Sequence, residues 1–113
     1  AQLQGGDAAG MMATLNALRA TMSLDPLTDP GSTTARQDLL FEERARWLFG
    51  TAHRLGDLRR LVRQYGRDQA TVFPSGDFFK GGIYGSDVNF PVPFEESENP
   101  NVEPSNLCID RNA

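Results

Sequence analysis

The chain reads as a mainly α-helical protein, and three features of its sequence say so. Apolar residues recur at three- and four-residue spacing in three stretches before residue 67, helix-capping side chains stand at the start of two of them, and no segment keeps the alternation of a sustained strand. The 113 residues carry 39% hydrophobic and 23% charged side chains, the balance of a folded chain. At that length a free-standing domain buries only about 60–70% of its unfolded surface, so its core is modest.

Asp7 is the expected N-cap of the first helix, whose apolar stripe is Met11, Met12, Leu15, Leu18 and Met22. Asp25-Pro26 and Asp29-Pro30-Gly31 forbid its continuation, which makes residues 24–33 a loop. Thr34 and Gln37 have capping-box spacing and open the second helix. There Phe41, Ala45, Leu48 and Ala52 recur at i, i+4, i+7 and i+11, flanked by Leu40 and Trp47. A third helix carries Leu55, Leu58, Leu61, Val62 and Tyr65, and Gly66 stands where a left-handed cap costs least.

Residues 1–67 are thus the helical segment, and residues 68–113 form an irregular tail. The tail holds five prolines, four glycines and five asparagines. It also holds Phe73, Phe78, Phe79, Tyr84, Phe90 and Phe94, apolar groups that want burial. Three helices offer too little surface to cover them all, so the tail is expected to wrap over a larger body of which this chain is one part. On this reading the chain is not an independent domain.

Charge divides the chain in the same places. Residues 36–67 hold eight arginines against four acids, whereas residues 68–113 hold two bases against eight acids. The arginine run is therefore neutralised within the fold, and the net charge of -4 argues against nucleic-acid binding. On a helical wheel of the second helix, Leu40, Phe41, Leu48 and Ala52 share one side, while Asp38, Glu42, Glu43 and Arg46 lie roughly opposite. Arg44 falls near the centre of the apolar side and needs a carboxylate. Asp57, at the start of the third helix, is the best candidate, with Arg60 on the same face three residues later. Glu43, Arg44, Asp57 and Arg60 are expected to form a structural ion-pair lattice rather than an acid–base catalytic pair.

Residues 43–60, ERARWLFGTAHRLGDLRR, resemble the C-terminal signature of the SusD/RagB family of outer-membrane nutrient-binding lipoproteins, roughly E-R-x-R-E-L-x-x-E-G-x-R-W-x-D-L-x-R. Glu43, Arg44, Arg46, Leu48, Arg54, Asp57, Leu58 and Arg60 match without gaps. Trp47 and Thr51 stand where the family usually has acids, Ala52 replaces the usual glycine, and Leu55-Gly56 replaces an aromatic-rich pair. Further on, Phe90-Pro91-Val92-Pro93, Glu96 and Asn99-Pro100-Asn101 are similar to the family's terminal P-I-P-x-x-E-x-x-x-N-P-N, one residue shorter here. LNALRATMSL in the first helix resembles the segment that precedes the signature.

The resemblance implies a tetratricopeptide-like, helical SusD-type fold with a loop-rich remainder, of which this chain is the C-terminal portion. It implies a cell-surface protein of the outer membrane, lipid-anchored through a segment not in this chain. Its partners would be the remainder of the SusD-like protein, a SusC-like TonB-dependent transporter, and a glycan or peptide ligand. Such proteins bind and hand over without cleaving. The alternative is a non-catalytic helical scaffold or assembly protein that keeps the fold without a small-molecule ligand.

Sugars are bound by aromatic faces with a few carboxylates and amides. The stretch from Asp77 to Asp87 supplies those groups on a loop, making Phe79, Tyr84 and Asp87 the candidate binding residues. The same aromatics would equally serve to anchor the tail to the helices. No cofactor or metal is expected. His53 is the single histidine, Cys108 the single cysteine, Asp87-Val88-Asn89 lacks the glycine and distal glutamate of a calcium loop, and there is no Walker-type sequence. Glu95, Glu96 and Glu98 lie on one proline-flanked segment and do not face each other as a hydrolase pair must. If Arg44 is a buried, paired cation, Arg44→Ala lowers the melting temperature by at least about 4 °C, the shift that about 1 kcal/mol produces in a chain of this size. An unchanged melt places the guanidinium in water.

Overall fold

A computed structural model describes residues 1–85, 88–90 and 93–101. The protein is mainly helical: α1 spans Ala8–Thr21, α2 Thr33–Trp47, α3 Arg54–Arg63 and α4 Gln69–Val72, and a 3-10 turn covers Phe94–Glu98. Among the described residues β structure is limited to one isolated antiparallel bridge, Asp77 to Ile83. The chain divides into two compact units, Ala1–Thr51 and the residues from Ala52 onward.

In the first unit α1 begins as its sequence dictates. The Asp7 side chain accepts from the Gly10 backbone N–H at 2.8 Å. A Cβ at Gly10 would lie 2.1 Å from the capping carboxylate, so a larger residue there would make the Asp7 side chain shift. Met11, Met12 and Leu15 are buried, and Leu3, Leu27, Leu39 and Leu40 pack against them. The expected stripe stops short of its last turn: Leu18 and Met22 are exposed. Met22 is the C-cap of the helix. Ser23 adopts a left-handed conformation (φ 54°), and the N–H groups of Ser23 and Leu24 donate to the carbonyls of Ala20 and Arg19. This is a Schellman closure with serine where glycine is usual, at a backbone cost of about 1 kcal/mol.

The loop that follows is tied to both helices. The Asn16 amide donates to the Leu27 carbonyl at 3.1 Å and accepts from the Leu27 N–H at 2.7 Å, copying a strand's hydrogen-bond pair with a side chain. Asp29 grips Arg36 through both oxygens, at 2.7 and 2.8 Å, and accepts from the N–H of Gly31, which turns the chain at φ 84°. That turn brings Ser32 to the helix start, so Ser32 caps α2 through the Ala35 N–H, two residues ahead of the expected Thr34.

α2 ends at Trp47, with Leu48 as its C-cap. Ala52 therefore lies outside the helix, in a left-handed conformation (φ 62°), as does Gly50 (φ 74°). The i+11 extension of the apolar stripe fails because the chain turns before reaching it. Phe41 is buried, and so is Glu43, the residue that the wheel puts opposite the apolar face.

In the second unit α3 runs from Arg54 to Arg63, and Gly66 (φ 65°) turns the chain away just beyond it. Asp57 and Leu58 are its buried residues, Asp57 in the first turn where a negative charge suits the helix dipole. α4 packs on α3 and is capped by Asp68, which accepts from the Ala70 N–H at 3.2 Å. Val88 is buried, and its carbonyl accepts from Arg59 Nη1 at 3.1 Å, so this part of the tail is anchored to α3.

Asp29 is held down to about pKa 2 from its usual 3.8, chiefly by the hydrogen bond from Arg36 and then by the Gly31 N–H. A depressed carboxylate adds stability above its unfolded pKa and loses it as pH falls towards its folded one. The melting temperature of the wild-type protein should therefore exceed that of Asp29→Asn at neutral pH, and the gap should close between about pH 4 and pH 2. A gap that persists at pH 2 would mean that the loop is held by other contacts.

Candidate functional site

The aromatic loop expected to hold the binding residues is built by its backbone. The Tyr84 N–H donates to the Gly76 carbonyl and the Phe78 N–H to the Gly82 carbonyl, both at 2.9 Å, on either side of the Asp77–Ile83 bridge. The Gly81 N–H closes a turn onto the Phe78 carbonyl at 2.8 Å, and Gly81 (φ 99°) and Gly82 (φ 81°) take conformations open chiefly to glycine. The result is a hairpin-like loop with Phe78 at its centre. Its ring meets those of Phe79 and Tyr84 edge-on, with centroids 4.7 and 5.2 Å away. Phe79 is 80% exposed, with Lys80 Nζ 5.5 Å from its ring centroid, and Tyr84 is 37% exposed. Asp87 lies outside the described residues, as does Cys108.

Tyr84 and Phe79 part company at this point. Tyr84 helps line a cleft of about 420 Å³ together with Asp68, Gln69, Phe73, Pro74, Ser75, Gly76 and Val88, and Phe79 does not. The size suits a small molecule. Phe73, Pro74 and Val88 make its apolar wall, and Asp68, Gln69 and Ser75 bring polar groups to it. The Ser75 hydroxyl donates to the Ala70 carbonyl at 3.2 Å, which fixes its orientation. Asp68, Gln69 and Phe73 are functional candidates that the sequence reading missed. The short α4 brings them together, and four residues give too little periodicity to be recognised as a helix.

Charged side chains gather in each of the two units. In the first unit the Glu43 side chain is 1% exposed and receives three donors. Arg19 Nη1 lies 2.9 Å and Arg46 Nη1 3.1 Å from its Oε1, and Trp47 Nε1 donates to Oε2 at 3.0 Å. Arg19 also donates from Nε to the Asp25 carbonyl at 2.7 Å. Arg46 reaches Glu42 as well. A second, smaller cleft of about 270 Å³ lies beside this cluster, lined by Arg19, Met22, Leu24, Glu43, Arg46 and Trp47. In the second unit Asp57 is buried and pairs with Arg60 at 3.3 Å. Arg44 is half-buried on α2. It belongs to the first unit and Asp57 to the second, and their pairing is left to the Arg44→Ala melt.

Every buried side-chain nitrogen and oxygen among the described residues has a hydrogen-bond partner. Buried carboxylates with such partners are held in place. Among the described residues no group of three histidine, cysteine or acidic side chains is arranged to hold a metal ion. Likewise no helix of the described residues is long and apolar enough to cross a membrane.

Removing the Glu43 carboxylate strands the part-buried Arg19, so Glu43→Ala should cost about 3 kcal/mol in urea unfolding. Arg46→Ala should cost less than about 1 kcal/mol, because its side chain is 60% exposed. Equal losses for the two variants would show that burial does not set the strength of the cluster. Searches against family models, curated proteins and solved structures returned no match to this chain.

Proposed function

We propose that this chain is the C-terminal part of a SusD/RagB-like outer-membrane lipoprotein, a non-catalytic receptor that captures an oligosaccharide or peptide at the cell surface and delivers it to a TonB-dependent transporter. In this reading α2 and α3 are the end of a tetratricopeptide-like helical body, and the rest of the protein carries the lipid anchor and most ligand contacts.

The observation that carries the reading is how the signature-like residues fall on the helices. Glu43, Arg44 and Arg46 lie on the last turns of α2, and Asp57, Leu58 and Arg60 on α3. Between them the position where the family pattern has glycine is Ala52, which adopts φ 62°. A motif with glycine at that position suits a left-handed turn, so the resemblance has a backbone reason there. The second motif has a similar one, since Glu96 Oε2 accepts from Asn99 Nδ2 at 3.0 Å beside the 3-10 turn.

The scaffold alternative draws on a different observation. Phe79, Ile83 and Phe90 are each more than three-quarters exposed, a pattern that suits contact with another protein. Native mass spectrometry of material purified under gentle detergent separates the two classes when combined with titration of neutral oligosaccharides and short peptides. The receptor reading expects the chain to travel with a larger polypeptide or a transporter and the assembly to bind a glycan or peptide. An isolated, stably folded monomer that binds neither would overturn it.

A further inference from the structure

The 420 Å³ cleft of the second unit has a chemical character of its own. Among the described residues its lining includes one carboxylate, Asp68, and two aromatic residues, Phe73 and Tyr84, and no lysine or arginine. Asp68 uses Oδ1 to cap α4, and its side chain is exposed at the cleft. An anionic ligand would meet the Asp68 carboxylate.

A carboxylate beside aromatic rings in a partly apolar cleft is the arrangement that recognises an organic cation. The ring faces attract positive charge through their quadrupoles, and a methylated or alkylated ammonium loses little hydration on entering. We propose that the cleft formed by Asp68, Phe73 and Tyr84 binds a small organic ammonium cation, a methylated or alkylated amine on a compact apolar body. The proposal stands on the cleft alone and is independent of the receptor reading. Phe79, on the turn of the same loop, is outside the cleft and takes no part.

Choline and its uncharged isostere 3,3-dimethylbutan-1-ol test this directly in a titration of the ¹⁵N-labelled chain, followed through the backbone amides of Gly76, Tyr84 and Gly85. Choline should shift these signals in a saturable, salt-sensitive way, and the isostere should not. Asp68→Asn keeps a capping side chain of equal quality while removing the charge, so the variant folds, and it should weaken choline about fivefold. Tyr84→Leu should weaken it by about two- to fivefold, whereas Phe79→Ala should leave affinity unchanged. A short peptide bearing trimethyllysine, titrated in parallel, identifies the source: tighter binding of choline marks a free amine, and tighter binding of the peptide a polypeptide. Equal binding of choline and its isostere, no response to choline at millimolar concentration, or undiminished affinity in Asp68→Asn would overturn the proposal.

Discussion

Burying a carboxylate to 1% exposure costs several kcal/mol unless its lone pairs are met, and Glu43 meets them with donors from Arg19, Arg46 and Trp47. Two of those donors sit on α2 itself, whereas Arg19 comes from α1, so the carboxylate clasps the two long helices together. The clasp reaches further through the other edge of the Arg19 guanidinium, which holds the Asp25 carbonyl. That contact keeps the loop after α1 where Leu27 can join Met11, Met12 and Leu15. A core built on two methionines and a leucine is adaptable in shape and specifies little by itself. The polar clasp supplies the register that the apolar contacts leave loose.

The second unit is organised differently. Its elements are short, and its irregular stretch is shaped by backbone hydrogen bonds across the Asp77–Ile83 bridge and by glycines in left-handed conformations. Val88 fastens this stretch to α3 through the bond from Arg59. The aromatic residues of the loop thereby acquire distinct environments, with Tyr84 at a cleft and Phe79 in solvent. The cleft lies where a short helix, its cap and an aromatic loop converge.

Much of the helical architecture is legible in the sequence because it rests on local rules. The Asp7 cap, the Met11–Met12–Leu15 stripe, the proline-rich break after α1 and the turn at Gly66 all follow from residues within one or two helical turns. What escaped depends on partners distant in sequence. The wheel puts Glu43 opposite the apolar face, and local spacing does not reveal its partner Arg19, 24 residues away. Arg19 is the single base among residues 1–35, and that isolation was the available clue. Met22 looks like core by spacing, but it is the helix C-cap and Ser23 turns the chain just after it. The cleft was hidden for a similar reason, since Asp68 reads as a helix cap and Tyr84 as one aromatic among several until α4 and the loop are folded. Asp68 has both roles only in three dimensions.

A double-mutant cycle between Arg19 and Glu43, read by urea unfolding, bears most directly on the clasp. A coupling of about 1–3 kcal/mol between Arg19→Ala and Glu43→Ala is expected if the buried carboxylate joins α1 to α2. Additive losses, with the coupling at zero, would mean that the apolar contacts alone hold the two helices in place.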